Sequence, residues 1–236
     1  MTPEGYAIAA ASVALGAFVQ GTIGVGFALI VVPVVAFLEP ELIPVFVLTL
    51  MIPLNAYVIW RERTAVHWFG TGWITVGRVF GTAGGLALLA LLLPAELGVA
   101  IGVITIAAAL ATLWAPHFEP SRNALFAAGV ITGITETSTG IGGPPLALVY
   151  QHQTGPILRS TLATCFLIGQ VFSLLVLMAV GRVNVAQLVA AAILMPVLAL
   201  GIIASKQAHG WVEGPWLRRC VLAFAVVSGL GLVVLR

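Results

Sequence analysis

No part of this 236-residue chain stays polar for more than a dozen or so residues. Apolar side chains make up 61% of it and charged ones 8%, and the mean hydropathy is +1.14. A soluble domain carries about 25% charged residues. This chain lacks the side chains to cover itself toward water, and it reads as an integral membrane protein. Its apolar stretches have the length and continuity of membrane helices, and the alternating ten-residue pattern of an outer-membrane barrel is absent. The expected class is all-α, with no room for a soluble domain.

Several functions fall away on composition. A formal net charge of +2 is too small to imply a nucleic-acid partner. Cys165 and Cys220 both sit in apolar segments, so neither a disulfide framework nor a zinc site is suggested. His67, His117, His152 and His209 lie near segment ends without metal-ligand spacing, so no metal and no cofactor is expected. The opening "MTPEGYAIAA" has no basic stretch before its apolar run, unlike a cleaved signal peptide.

Apolar segments fall at about 6–38, 42–60, 69–93, 96–115, 123–151, 157–180, 184–204 and 216–235. Six of these eight suit the ~20 residues of one crossing. The first would make about 50 Å of straight helix, too long for a ~30 Å hydrocarbon core. The fifth is also long. Both are broken by glycine, in "GTIGVGFAL" at 21–29 and "STGIGGPPL" at 138–146. Glycine costs about 1 kcal/mol in a helix interior and proline about 3, so each break needs a reason. Two pieces of about a dozen residues joined by a Gly-rich tip suit a re-entrant hairpin; the alternative is one long, kinked crossing.

Charge favours hairpins. If all eight segments cross, Arg61, Arg63, Arg122, Arg182 and Arg236 lie on one side and Arg159, Lys206, Arg218 and Arg219 on the other. With hairpins at segments one and five, only Arg182 and Arg236 oppose the other seven, and Glu39, Glu41 and Glu96 join them. Lys and Arg collect in cytoplasmic loops, so the N-terminus is expected outside. Trp60, Trp68, Trp73, Trp114, Trp211 and Trp216 all fall near segment ends, where the indole N–H stays wet.

Sliding the chain on itself by 116 residues superposes the breaks: Gly24, Val25 and Gly26 fall on Gly140, Ile141 and Gly142. Gln20 falls on Glu136, Thr22 on Ser138 and Pro40 on Pro156. Residues 1–118 and 119–236 then read as two repeats, each a hairpin plus three spans. The odd number of crossings inverts the second, which is the recurrent plan of secondary transporters.

A half-helix that begins inside the membrane exposes its first N–H groups and carries about half a positive charge. Gly lets backbone approach a ligand, and Pro144 and Pro145 can open a helix. Two such ends, starting near Gly26 and Gly143, would face each other as an anion site. Gln20, Thr22, Gly24, Gly26, Phe27, Ser138, Thr139, Gly140, Gly142, Gly143 and Pro144 are the candidate substrate-binding residues.

At these residues the chain resembles the TauE/SafE family of sulfite and organosulfonate exporters. The run "GTIGVGFALIVVP", the later "TGIGGPP", the duplicated halves and the short loops carry the resemblance along essentially the whole chain. It implies a bacterial inner-membrane permease for sulfite, sulfoacetate or related anions; the sulfur comes from the resemblance alone. Some distant relatives take up thiosulfate through cysteines. Cys165 is the one deep cysteine here and its repeat counterpart is Thr49, which argues against such a relay.

Ionised groups inside a bilayer are expensive, at ~2.5–3.5 kcal/mol or more at the centre. Glu136, just before the second break, is therefore a candidate coupling or gating group that takes a proton when anion binds. Arg78 is the deepest cation, able to pair with Glu136, to bind substrate oxygens, or to snorkel to the interface. Asn55 and Gln170 are candidate partners behind the hairpin tips, or simple interhelical hydrogen bonds. Gly77, Gly81 and Gly85 form a close-packing stripe.

An enzyme is not expected: Ser138 would need a base within reach, no His lies deep, and the chain has no Asp. Expelling a monovalent anion from a negative interior gains ~2.3 kcal/mol per 100 mV, which favours export. The expected function is a secondary transporter exporting small sulfur oxyanions, with protons as candidate coupling ion. An anion channel, or an uptake permease for another small anion, is the alternative. The bilayer is its surroundings, and a homodimer is compatible with the sequence.

Overall fold

A computed structural model describes residues 1–91, 94–114, 120–208 and 215–234. These form ten α-helices and two short 3-10 turns: α1 Pro3–Ile23, α2 Phe27–Leu38, α3 Val45–Glu62, α4 Trp68–Leu91, α5 Pro94–Trp114, α6 Arg122–Thr139, α7 Gly143–Tyr150, α8 Gly155–Ala179, α9 Val185–Ala208 and α10 Pro215–Val234. Five helical stretches, Pro3–Ile23, Val45–Ala65, Trp68–Leu91, Gly155–Ala179 and Val185–Gln207, are long and apolar enough to cross a membrane. His117, His209, Trp211 and Arg236 lie outside the described residues, as do the side chains of Trp114, Trp216 and Arg218.

Segments one and five are each two helices, but their arms are not the equal dozen-residue pieces expected from sequence. The first has 21 and 12 residues, and the second has 18 and 8. At 1.5 Å per residue α1 is about 32 Å long. The reason is local. Thr2 caps α1, accepting from the Gly5 N–H at 3.1 Å with Pro3 in the first turn. Nothing then stops the helix until Gly24, whose φ of 95° only glycine takes easily. Ser121 starts α6 in the same manner, accepting from Ala124 N–H, and Gly140 at φ 81° ends it.

Each short arm folds back along its long arm. The Met1 amino group reaches Glu39 at 3.3 Å, so α2 ends where α1 begins. Likewise Tyr150, at the end of α7, meets His67 before α4 at 3.0 Å, while Arg122 at the start of α6 stacks over Trp73 of α4 at 4.1 Å.

Helix pairing repeats after 116 residues. α4 packs on α6 as α9 packs on α1, while α3 pairs with α8 and α5 with α10. The α4–α6 pair is parallel and close, because Gly77, Gly81 and Gly85 lie against the α6 backbone at Phe126, Val130 and Ile134. A Cβ at any of the three would strike a carbonyl oxygen. Small residues let helices approach where lipid offers no hydrophobic drive.

This topology sorts the charges. One end of the bundle gathers Glu4, Glu39, Glu41, Glu96 and Arg182; the other gathers Arg61, Glu62, Arg63, Arg122, Arg159, Lys206 and Arg219. They are called the acidic and basic ends below. Apolar side chains such as Phe80, Leu175, Val189, Leu200 and Val227 point outward, as a lipid-facing surface requires.

Candidate functional site

The two breaks meet in the middle of the bundle. A Cβ on Gly143 would lie 3.7 Å from that of Val25, so the tip of each hairpin abuts the other. Beside them is a cavity of about 60 Å³ lined by Val25, Gly26, Leu29, Pro144, Ala147 and Val221, among others. Its wall is almost wholly apolar.

The short arms begin here, α2 at Phe27 and α7 at Gly143, and both N-termini point into the centre. They are not equivalent. The first turn of α2 presents the N–H groups of Phe27, Ala28 and Leu29, which no carbonyl of its own helix can reach. In α7 Pro144 and Pro145 have no N–H, so Gly143 alone offers one in that turn.

Each long arm tends the start of its short arm. Gln20 Oε1 accepts from Phe27 N–H at 3.2 Å. Its counterpart Glu136 lies against Gly142, the cap of α7, where a Cβ would sit 2.9 Å from the Glu136 Cδ. A resident carboxylate thus occupies the positive end of α7.

A line of hydrogen bonds joins the two. Gln20 Nε2 donates to Asn55 Oδ1 at 2.9 Å, Asn55 Nδ2 to Gln170 Oε1 at 3.0 Å, and Gln170 Nε2 to Glu136 Oε1 at 2.9 Å. Every member is buried. Glu136 Oε2 pairs with Arg78, which is 2% exposed, so Arg78 does not snorkel. The Arg78 guanidinium also donates to the Cys165 carbonyl at 3.2 Å and crosses α8 at Gly169, the position where a side chain would collide with it. Its Nε has no partner among the described residues. Asn55 and Gln170 make interhelical hydrogen bonds that join end to end, tying α3 and α8 to both long arms. A second buried link runs from Thr137 to Ser173 at 2.9 Å.

The hydroxyls expected to line the pocket are buried but turned to their own helices. Thr22 donates to Val19 O at 2.9 Å, Ser138 to Ile134 O at 2.8 Å and Thr139 to Thr135 O at 2.7 Å. Gly24, Gly26, Gly140 and Gly142 shape the tips.

Three charged residues beside the first tip went unrecognised as part of the site in the sequence. Arg159 Nε donates to Glu62 Oε1 at 2.9 Å, and Arg61 donates to both Glu62 and the Gly21 carbonyl. The signal was present: Arg159 falls inside the apolar stretch 157–180, where a charge needs a partner.

Comparison with known proteins matches residues 8–232 to the family described as sulfite exporter TauE/SafE. No curated protein and no solved structure matches the chain. The matched range holds both breaks, the polar line between them and the Arg78–Glu136 pair, and on that match this multi-pass helical membrane protein belongs to the sulfite exporter TauE/SafE family.

Proposed function

We propose that the protein is a secondary transporter that exports sulfite, or a short organosulfonate such as sulfoacetate, across the bacterial inner membrane, and that it is not an enzyme. The observation that carries this reading is the meeting of two helix N-termini at buried glycines beside a buried arginine. Backbone N–H groups, helix dipoles and a guanidinium fork all favour an oxyanion.

In this reading the two hairpins are re-entrant and residues 1–118 and 119–236 are inverted repeats. The exchange of partners between α1–α9 and α6–α4 supports this, and so do ends of opposite charge. The basic end faces the cytoplasm by the rule for Lys and Arg, which sets the N-terminus outside.

Glu136 is the gate of the site. It holds Arg78 and the α7 end while no substrate is present. An incoming anion takes its place on the guanidinium, and the displaced carboxylate accepts a proton so that the centre carries one negative charge at a time. The proton returns to the side it came from, so the anion leaves alone and the membrane potential drives it outward by ~2.3 kcal/mol per 100 mV.

The test is flux and current in proteoliposomes with sulfite, sulfoacetate, thiosulfate, sulfate and chloride. Saturable flux selective for sulfite or a sulfonate is expected. Unsaturable chloride current would make the protein a channel and overturn the carrier reading.

A further inference from the structure

The Arg61–Glu62–Arg159 cluster is built as a site. It ties the end of α3 and the start of α8 to the last turn of α1. Glu62 accepts from Arg159 Nε at 2.9 and 3.1 Å and from Arg61 at 3.0 and 3.2 Å. Arg61 Nη2 also caps the Gly21 carbonyl at 2.9 Å. Arg159 crosses the break itself: a Cβ on Gly24 would lie 2.7 Å from its Cγ, and one on Gly155 2.9 Å from its Nη1.

Among the described residues two guanidiniums share the Glu62 carboxylate, beside the C-terminal end of α1 with its roughly half negative charge. Among the described residues Arg61 Nη1 is buried with no hydrogen-bond partner. Leaving a charged donor unpaired is costly, unless something else completes it.

Among the described residues, the positions that correspond to this cluster in the other repeat carry no charge. The residues 116 positions away are Leu177 for Arg61, Met178 for Glu62 and Ile43 for Arg159. Leu177 is buried with Val45 and Leu48, and Ile43 in the larger apolar cluster that holds Leu42 and Phe46. The Gly140 turn of the second hairpin lies against Val32 and Val47, and the Gly24 turn of the first against Arg159 and Leu158.

Resting on the transport reading above, we infer that this cluster is a second oxyanion site, the docking station at which substrate arrives from the basic end. The anion takes the place of the Glu62 carboxylate on Arg61 and Arg159, and the Arg61 Nη1 donor is completed by it. From there the central cavity is adjacent, since Ile23 and Leu158, the neighbours of Thr22 and Arg159, form part of its wall.

The experiment is calorimetric titration of the purified full-length protein with sulfite at low ionic strength, alongside the flux assay. Arg61→Gln is expected to weaken sulfite binding about tenfold, as loss of a close charge partner does. Glu62→Gln removes the competing carboxylate and should tighten binding severalfold. Arg63→Gln, an exposed neighbour of equal charge, controls for long-range attraction and should change affinity less than twofold. A cluster that only caps α1 would lose stability in the first two variants without tightening in either. Unchanged affinity in Arg61→Gln and Glu62→Gln with intact saturable flux would overturn the station and leave the carrier standing. Arg61-dependent binding without saturable flux would do the reverse.

Discussion

Gln20 and Glu136, 116 residues apart, stand one turn before the left-handed glycine of their break, each accepting the glycine N–H on its carbonyl at 2.8 Å. Their side chains end one line of hydrogen bonds through Asn55 and Gln170. Every amide along it donates toward Glu136, so the line ends on that carboxyl group as its acceptor.

Asn55 is the link whose removal opens this line without touching a charge. Asn55→Leu leaves Gln20 and Gln170 each short of a partner in a buried setting, at about 1–3 kcal/mol per group. Thermal unfolding in detergent should shift down accordingly. Stability equal to wild type would mean the amides find other partners.

The two αL glycines should respond differently to alanine. At Gly140 an added Cβ meets ordinary contacts at 3.4–3.5 Å, so Gly140→Ala carries only the left-handed strain of about 1–2 kcal/mol. At Gly24 the Cβ also presses on Arg159, adding about 1–3 kcal/mol of overpacking. Unfolding of the two variants side by side should rank Gly24→Ala the less stable.

Gly169→Ala places a methyl where the Arg78 guanidinium lies. Transport should fall at least tenfold while helix content by circular dichroism stays near wild type, because the arginine loses its bridge between Glu136 and the Cys165 carbonyl. Retained transport would remove Arg78 from the site.

Glu136→Gln keeps an acceptor for Gln170 but cannot take up a proton. Flux in this variant should lose the pH dependence of wild type. Stability should fall by about 3–5 kcal/mol, as when one partner of a buried ion pair is removed. A variant whose flux still follows pH as wild type does would assign the proton to another group.

What the sequence revealed follows from which residues constrain backbone by themselves. Gly24 and Gly140 announced the breaks because few other residues adopt their φ. Asn55, Gln170, Arg78 and Glu136 stood out because polar groups in apolar stretches need partners. The unequal arms were not legible, since helix length is set by where the first left-handed glycine falls and not by the middle of the apolar segment. Nor was the orientation of Thr22, Ser138 and Thr139, whose hydroxyls turn back to their own helices, a choice made by packing. Arg159 read as a loop charge because a cation four residues into a helix can snorkel. Only the fold brings Glu62 and Gly24 beside it.

The most direct measurement is an experimental structure with selenite, a sulfite analogue whose selenium is located by anomalous scattering. The anion is expected where the tips meet, within hydrogen-bond distance of the α2 first-turn N–H groups or Gly143, with Arg78 turned toward it. Selenium bound only away from Val25 and Gly143, with the Arg78–Glu136 pair undisturbed, would contradict a substrate site between the two broken helices.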